Sequence, residues 1–292
     1  MTVPRQSPGR LYLLARRAAI VLGLEMPARA MVRAARRSRG RLAVALAPPA
    51  AIGAERAPTP SAPAEPQLSD AERNAIARDR LDNANIRLLI SFALHSDSNC
   101  IDVGAHEGTV LAEILRSAPN GRHIAYEPIP DLAARLRSRF QNVDVREAAL
   151  SNAEGETTFV YVPEAPAYSG LRERAYPHDV ETTTLTVHTE RLDEALPPDY
   201  HVDFIKIDVE GAEALVLEGA LGVIRRDHPI IVFEHGLGGA DHYGTTPQRV
   251  FELLTAEADL RLFDLDGNGP YSLAQFEDEF ARGQRWNYVA RP

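Results

Sequence analysis

The sequence contains one cysteine, Cys100, and one lysine, Lys206, among its 292 residues. A single cysteine excludes an intramolecular disulfide, which is consistent with a reducing compartment. Because Cys100 begins an apolar run, we interpret it as a small buried residue rather than as a reactive thiol. The pattern Gly-Lys-Ser/Thr is absent as well, so the chain has no P-loop for binding phosphates.

Long apolar runs are also lacking. The longest one near the start covers residues 18–24 and ends at Glu25, whereas a helix that spans a bilayer needs about 20 apolar residues. Residues 1–66 hold eleven Arg and three Glu, a net charge of +8. We expect a flexible basic extension there, with a Pro- and Ala-rich linker at its end. The alternative is an amphipathic helix within residues 10–45 that contacts an anionic membrane from the cytoplasm.

The rest of the chain is acidic, with 21 basic and 38 acidic residues and a net charge of −17. Such a surface is a poor partner for nucleic acid, but it is compatible with a small neutral or cationic molecule. The length of residues 67–292 suits one large domain. We predict that it begins with a helix over residues 67–95, which packs across the entrance to the domain.

Apolar runs and amphipathic segments then alternate along the chain. The predicted strands cover residues 98–103, 122–126, 143–148, 157–162, 185–187, 204–207, 230–233, 261–264 and 286–290. The predicted helices cover residues 109–117, 130–140, 191–196, 212–221 and 246–257. This alternation predicts an α/β sheet with helices on both faces. Ligands of such sheets bind at the carboxyl ends of the strands, so the residues that follow each strand are the candidates for a site.

The first strand is followed by a loop with the spacing D-x-G-x-x-x-G. Asp102 would order the loop or meet a cationic group of a ligand, while Gly104 permits a sharp turn and Gly108 a close approach of the ligand. Ala105 and His106 stand where a dinucleotide fingerprint needs another glycine. The loop is therefore expected to bind a ligand other than a dinucleotide.

Two further strand ends complete a nucleoside half site. Glu127 lies at the tip of the second strand, where an acidic side chain binds the two hydroxyls of a ribose, and Pro128 ends that strand. The third strand leads to Ala148 and Ala149, whose small side chains would border a flat adenine ring.

Charged residues crowd the end of the fourth strand. Alternation places Lys206 and Asp208 on one face, and Glu210 and Glu213 follow directly. Neighbouring carboxylates are costly unless they meet a cation, share a proton or lie in water. At the end of the fifth strand, His235 would serve as a general base, because histidine titrates near neutral pH.

Taken together, these motifs resemble those of the FkbM family of methyltransferases. The resemblance covers about residues 95–290, and its most specific part is the stretch Ile205 to Glu213. It implies a class I, Rossmann-like fold with a seven-stranded, mostly parallel sheet whose last strand is antiparallel. It also implies S-adenosyl-L-methionine as the methyl donor and O-methylation of a hydroxyl on a small molecule, sugar, glycan or natural product.

The resemblance also implies roles for individual residues. The amino acid end of the cofactor would be held by the loop of Asp102, Gly104, Ala105, His106 and Gly108. The ribose would be held by Glu127, with Pro128 beside it, and the adenine would be bordered by Ala148 and Ala149. Asp208 would lie at the reacting centre, with Lys206, Glu210 and His235 near it. Asp208 or His235 would take the proton of the acceptor.

The connection at residues 163–183 is long for this fold and would fold over the acceptor. We predict that Tyr168 and Arg172 contact it. Alternatives remain for the chemistry: a metal-assisted transfer with Mg²⁺ or Mn²⁺ bound by Asp208, Glu210, Glu234 and His235, a nucleoside-binding domain without catalysis, or an NAD-dependent oxidoreductase.

Overall fold

The computed structural model describes residues 69–173 and 180–292. The predicted basic extension, its membrane-binding helix and the linker lie outside the described residues, as does the centre of the long connection at residues 174–179. Within the described part, none of the helices combines the length and the apolar character needed to cross a bilayer.

The described residues form ten strands and eight α-helices. The strands are β1 (Cys100–Val103), β2 (His123–Tyr126), β3 (Val143–Arg146), β4 (Ala149–Leu150), β5 (Gly155–Tyr161), β6 (Thr183–Glu190), β7 (Phe204–Ile207), β8 (Ile230–Glu234), β9 (Arg261–Asp264) and β10 (Asn287–Arg291). The helices are α1 (Asp70–Ala93), α2 (Thr109–Ser117), α3 (Pro130–Arg139), α4 (Leu192–Ala195), α5 (Glu213–Gly219), α6 (Leu221–Asp227), α7 (Pro247–Phe251) and α8 (Leu273–Arg282).

Seven strands form one sheet in the order β3-β2-β1-β7-β8-β10-β9. Its strands are parallel except β10, which runs antiparallel to both β8 and β9. The predicted seven-stranded sheet with an antiparallel last strand is confirmed. The strand order reverses between β1 and β7, so a ligand crevice is expected outside the carboxyl ends of these two strands. A second sheet, β4-β6-β5, lies beside the main one.

The central strands are apolar because both of their faces are covered. All residues of β1, β2 and β7 are buried. On one face Cys100, Phe204 and Val232 pack against Ile86 and Ile90 of α1. Burying each such large side chain stabilises the fold by about 1.5–3 kcal/mol. This packing fixes the second half of α1 on the sheet.

Three helical segments differ from the prediction. The helix predicted over residues 212–221 is α5, which ends at Gly219, and α6, which follows it directly, has no counterpart in the sequence prediction. The one predicted over residues 246–257 is α7 continued by a π-helix, Glu252–Glu257. The third difference is α8, which has no counterpart in the sequence prediction.

Candidate active site

A cavity of about 820 Å³ opens at the carboxyl ends of β1, β2, β7 and β8. This volume falls within the usual range of about 300–1,000 Å³ for ligand pockets. Most of the residues predicted to bind the cofactor line its wall, namely Asp102, Gly104, Ala105, His106, Glu127, Pro128, Ala148 and Ala149. So do Lys206, Asp208 and Glu210 from the predicted reacting centre.

The loop after β1 is shaped by left-handed residues. Gly104 has φ 76° and His106 has φ 48°, while the amides of Gly104 and Ala105 both donate to the Tyr126 carbonyl at 3.0 Å. A Cβ on Gly104 would lie 1.9 Å from the backbone oxygen of Asp208. Gly104 is therefore required where the β1 loop passes the end of β7, as well as for the turn itself.

Gly108 does not have the role predicted for it. It is not part of the cavity wall, and it precedes α2 with φ 74°. A Cβ there would lie 2.5 Å from the Phe140 ring and 2.8 Å from Leu136. Gly108 therefore lets α2 pack against α3, rather than letting a ligand approach the chain.

Glu127 is a buried carboxylate held by backbone donors. The amide of His106 donates to Oε2 at 2.8 Å, and the amide of Ile129 donates to Oε1 at 2.9 Å. Burial raises the pKa of Glu127 to about 7, although both hydrogen bonds act in the opposite direction. Each oxygen keeps a lone pair, so the two can accept hydrogen bonds from a diol such as a ribose.

Asp102 is more deeply placed and is 2% exposed. Within the described residues its Oδ2 has no hydrogen-bond partner. Burial raises the pKa of Asp102 to about 7, against the opposing charge of Lys206. A buried acceptor without a donor is costly, and a cationic amino group of a ligand would satisfy it. The wall therefore fits a nucleoside that carries an amino acid.

The crowded carboxylates after β7 have separate environments. The ammonium of Lys206 lies 3.5 Å from Asp208 Oδ2. Glu213 turns into its own loop, where its Oε1 accepts hydrogen bonds from the amides of Val209 and Gly211. Glu210 has φ 60° and lines the cavity. Glu213 thus supports the loop, while Asp208 and Glu210 line the cavity.

His235 lies away from the cavity, and the prediction that it acts as a base there is corrected. Alternation along the strand turns it to the opposite side from Glu234, which lines the cavity. Its ring stacks on Phe280 and Phe276 of α8, with centroid distances of 4.9 and 5.7 Å. Burial lowers the pKa of His235 to about 3. Because α8 was not predicted, neither was this environment.

The two predicted acceptor contacts also lie elsewhere. Tyr168 is buried with Val162 and Ala165 in a small core of its own. Arg172 is exposed, where it covers the Tyr243 ring and donates to the backbone of residue 242. Neighbouring residues of the same connection line the cavity instead: Pro166, Ala167, Ser169 and Leu171. The connection does reach the cavity, but through different side chains.

Apart from Glu234, which was considered as a metal ligand, a second part of the cavity wall was not predicted from the sequence to bind a ligand. It consists of polar residues of α1 together with side chains from β8 and the start of β10, namely Asp79, Arg80, Asp82, Asn83, Arg87, Glu234, Trp286 and Asn287. The predicted position of the leading helix over the entrance was the one available signal for this wall. Which of its polar residues face inward depends on how α1 docks.

No three His, Cys, Asp or Glu side chains lie together as metal ligands within residues 69–173 and 180–292. The metal-assisted alternative required Asp208, Glu210, Glu234 and His235 in one cluster. Since His235 lies among aromatic rings on the other side of the strand, this set does not form.

The family described as Methyltransferase FkbM domain matches residues 102–261. The AMB antimetabolite synthetase AmbE of Pseudomonas aeruginosa is 36% identical over 86 residues, which are 28% of this chain and 4% of that protein. Methyltransferase sdnD of Sordaria araneosa is 26% identical over 159 residues, covering 43% of this chain and 61% of that protein. The chain thus spans less than two thirds of the length of either curated relative.

Among solved structures, the methyltransferase FkbM of Methylobacillus flagellatus KT superposes with a TM-score of 0.43 and 14% sequence identity. The superposition covers 68% of this chain and 44% of that one.

Proposed function

The chain belongs to the FkbM family of S-adenosylmethionine-dependent methyltransferases, and from this premise we propose that it methylates a hydroxyl of a sugar, glycan or other natural product. The observation that carries the proposal is the second, polar wall of the cavity. Besides the nucleoside residues, the cavity presents Asp79, Asn83 and Glu234 together with Trp286. Carboxylates and amides accept hydrogen bonds from hydroxyls, and an indole provides an apolar surface for a ring.

The cofactor residues form the other half of the cavity. Asp102 and the loop after β1 hold the amino acid end, Glu127 holds the ribose, and Pro128, Ala148 and Ala149 border the adenine. When bound, S-adenosylmethionine supplies a methyl group activated by its sulfonium. Gly108 supports this half indirectly, because its missing side chain allows α2 to pack on α3.

Between the two halves, Lys206 and Asp208 form an ion pair at the expected position of the reacting atoms. Asp208 is fixed by this pair and by the strand, so it can orient the hydroxyl of the acceptor. Holding two reactants in line supplies a large share of the rate acceleration in such transfers. The net charge of −17 over residues 67–292 disfavours nucleic acid as an acceptor. The name of the relative AmbE, an antimetabolite synthetase, agrees with an acceptor from natural-product synthesis.

The test is transfer from S-adenosylmethionine with a deuterated methyl group to a matched panel of acceptors. Methyl glycosides of hexoses and 6-deoxyhexoses, phenols and aliphatic alcohols are each paired with the corresponding amine. Mass spectrometry then locates the label in each product. The control is the variant Glu156→Gln, whose substitution lies at an exposed position of β5. Labelled methyl ethers are expected. Transfer to amines alone, or to no member of the panel by a protein that binds S-adenosylhomocysteine, overturns the proposal.

A further inference from the structure

The register of the sheet places Glu234 beside the reacting centre. In the parallel pair of β7 and β8, Ile207 lies opposite Phe233, so the next residues, Asp208 and Glu234, leave the sheet side by side. On the other side of β8, Glu234 pairs with Asn287 of β10. Paired residues point to the same face of a sheet. Asp208, Glu234 and Asn287 therefore form one polar row along the cavity.

This row lies beneath the first half of α1. The second half of the helix is fixed on the apolar part of the same face through Ile86 and Ile90. The first half carries polar side chains, and Asn287 Nδ2 donates to Asp82 Oδ2 at 3.3 Å. Asp79 and Asn83 line the cavity on the same stretch of helix. The cavity is thus lined both by the first half of α1 and by the polar row.

Glu234 is 8% exposed and belongs to the cavity wall. Burial alone raises the pKa of Glu234 to about 8. The charged groups on the wall around it are Asp79, Arg80, Asp82 and Arg87 of α1, Asp102 of β1, Lys206 of β7, and Asp208 and Glu210 of the loop that follows β7. A group that accepts a proton in a transition state works best when it titrates close to the working pH.

We propose that Glu234 is the catalytic base, which takes the hydroxyl proton of an acceptor bound beneath the first half of α1. The proposal rests on the hydroxyl transfer proposed above. As the acceptor oxygen bonds to the methyl carbon, the bond from that carbon to sulfur breaks and its electron pair stays on sulfur. The O–H electron pair stays on oxygen, and the proton moves to a carboxylate oxygen of Glu234. The products are a methyl ether, S-adenosylhomocysteine and protonated Glu234.

Asp208 and Glu234 have different roles in this scheme. The Lys206 ammonium lies 3.5 Å from Asp208 and stabilises it as a carboxylate that orients the acceptor. Asp208→Asn should lower kcat while the pH dependence of wild type is kept. Glu234→Gln should remove that pH dependence, because an amide of the same shape accepts no proton at any pH in the assay.

The experiment compares wild type, Glu234→Gln, Glu234→Asp and the control Glu156→Gln. It uses the glycoside or alcohol that wild type methylates fastest in the panel above. With S-adenosylmethionine saturating at every pH, kcat/KM of wild type for the acceptor should rise about tenfold per pH unit below pH 8 and level off above it. Glu234→Gln should lose about 10²- to 10⁴-fold in kcat, with a flat profile and with S-adenosylhomocysteine affinity within threefold of wild type. Glu234→Asp should recover part of the rate with a profile that again rises with pH.

Three results would overturn the proposal. One is a Glu234→Gln variant that keeps a third or more of the wild-type turnover and the same profile. Another is a parallel loss of rate and of S-adenosylhomocysteine affinity, which would give Glu234 a structural role. The third is a wild-type protein that binds S-adenosylhomocysteine and methylates no hydroxyl in the panel. That last outcome contradicts the proposed function as well, whereas the first two contradict only the role of Glu234.

Discussion

The prediction that tests the nucleoside half of the site most directly concerns Glu127. In Glu127→Gln the side chain keeps its size, but one of its two oxygens becomes an NH₂ group. Both oxygens accept hydrogen bonds from backbone amides, at 2.8 Å from His106 and at 2.9 Å from Ile129. In either orientation of the glutamine side chain, its NH₂ group therefore faces a backbone N–H, and neither group has an acceptor.

The size of the effect follows from these contacts. A buried donor without an acceptor costs about 1–3 kcal/mol, which should lower the stability of the cofactor-free protein. In addition, one of the two ribose hydroxyls loses a charged acceptor worth about 1.5–3 kcal/mol. At about 1.4 kcal/mol per factor of ten, the affinity for S-adenosylhomocysteine should fall by roughly 10- to 150-fold.

Calorimetric titration of S-adenosylhomocysteine at pH 8 is the assay, since Glu127, with a pKa of about 7, is mainly a carboxylate there. Thermal unfolding of the unliganded proteins gives the stability change separately. Glu156→Gln, on an exposed strand position, is the matched control and should bind like wild type. An affinity of Glu127→Gln within threefold of the wild-type value would refute the assignment of the ribose to Glu127.

Three other predictions concern the surroundings of the site. Gly108→Ala should lower the free energy of unfolding by about 1–3 kcal/mol, because residue 108 has a positive φ and an added Cβ would collide with the Phe140 ring. Thermal unfolding measures this change, and a loss of S-adenosylhomocysteine affinity without destabilisation would contradict the prediction. His235→Phe should keep kcat within twofold of wild type. Its Tm should be unchanged or higher, because the substitution removes two buried ring nitrogens that lack hydrogen-bond partners among the described residues. A hundredfold loss of kcat would instead support the role of His235 as a base. Burial raises the pKa of Asp102, Glu127 and Glu213 to about 7, from about 4 in the unfolded chain, so the folded state binds more protons and stability should fall as pH rises from 4 to 7, by up to about 1.4 kcal/mol per unit and group. Because the lowered pKa of His235 acts in the opposite direction over the same window, the measurement is made in His235→Phe, and a Tm of that variant that rises from pH 4 to 7 would contradict the burial of these carboxyls.

The cavity residues at the ends of the strands were predictable from sequence because their determinants are local. Each strand is a short apolar run, and the residue that follows it lies at the carboxyl edge of the sheet whatever the details of packing. Asp102, Glu127 and Asp208 were found in this way, and all three line the cavity. Gly108 shows where the reasoning fails. A positive φ can be expected from a glycine motif, but what its missing side chain makes room for depends on the neighbouring helix.

The errors at His235, Tyr168 and Arg172 have one physical origin. Each lies close in sequence to residues that do line the cavity, and a shift of one position turns a side chain to the other face of its strand or loop. His235 also depended on α8, which covers that face. A signal for α8 was present, because Ser272 and Gln275 form a capping box ahead of apolar positions.

The two walls of the cavity differ in how they are held, and this has a consequence for specificity. The cofactor wall is fixed by hydrogen bonds within the sheet edge, such as those from the backbone to Glu127. The acceptor wall is fixed by the docking of α1, where Arg78 forms ion pairs with Asp82 and Asp266, and Asp266 also pairs with Arg285. Since these contacts do not involve Asp102, Glu127 or the loop after β1, we expect substitutions at Asp79 and Asn83 to leave the affinity for S-adenosylhomocysteine close to that of wild type. The choice of acceptor should therefore depend on the first half of α1, a segment that precedes the family's matching region of 102–261.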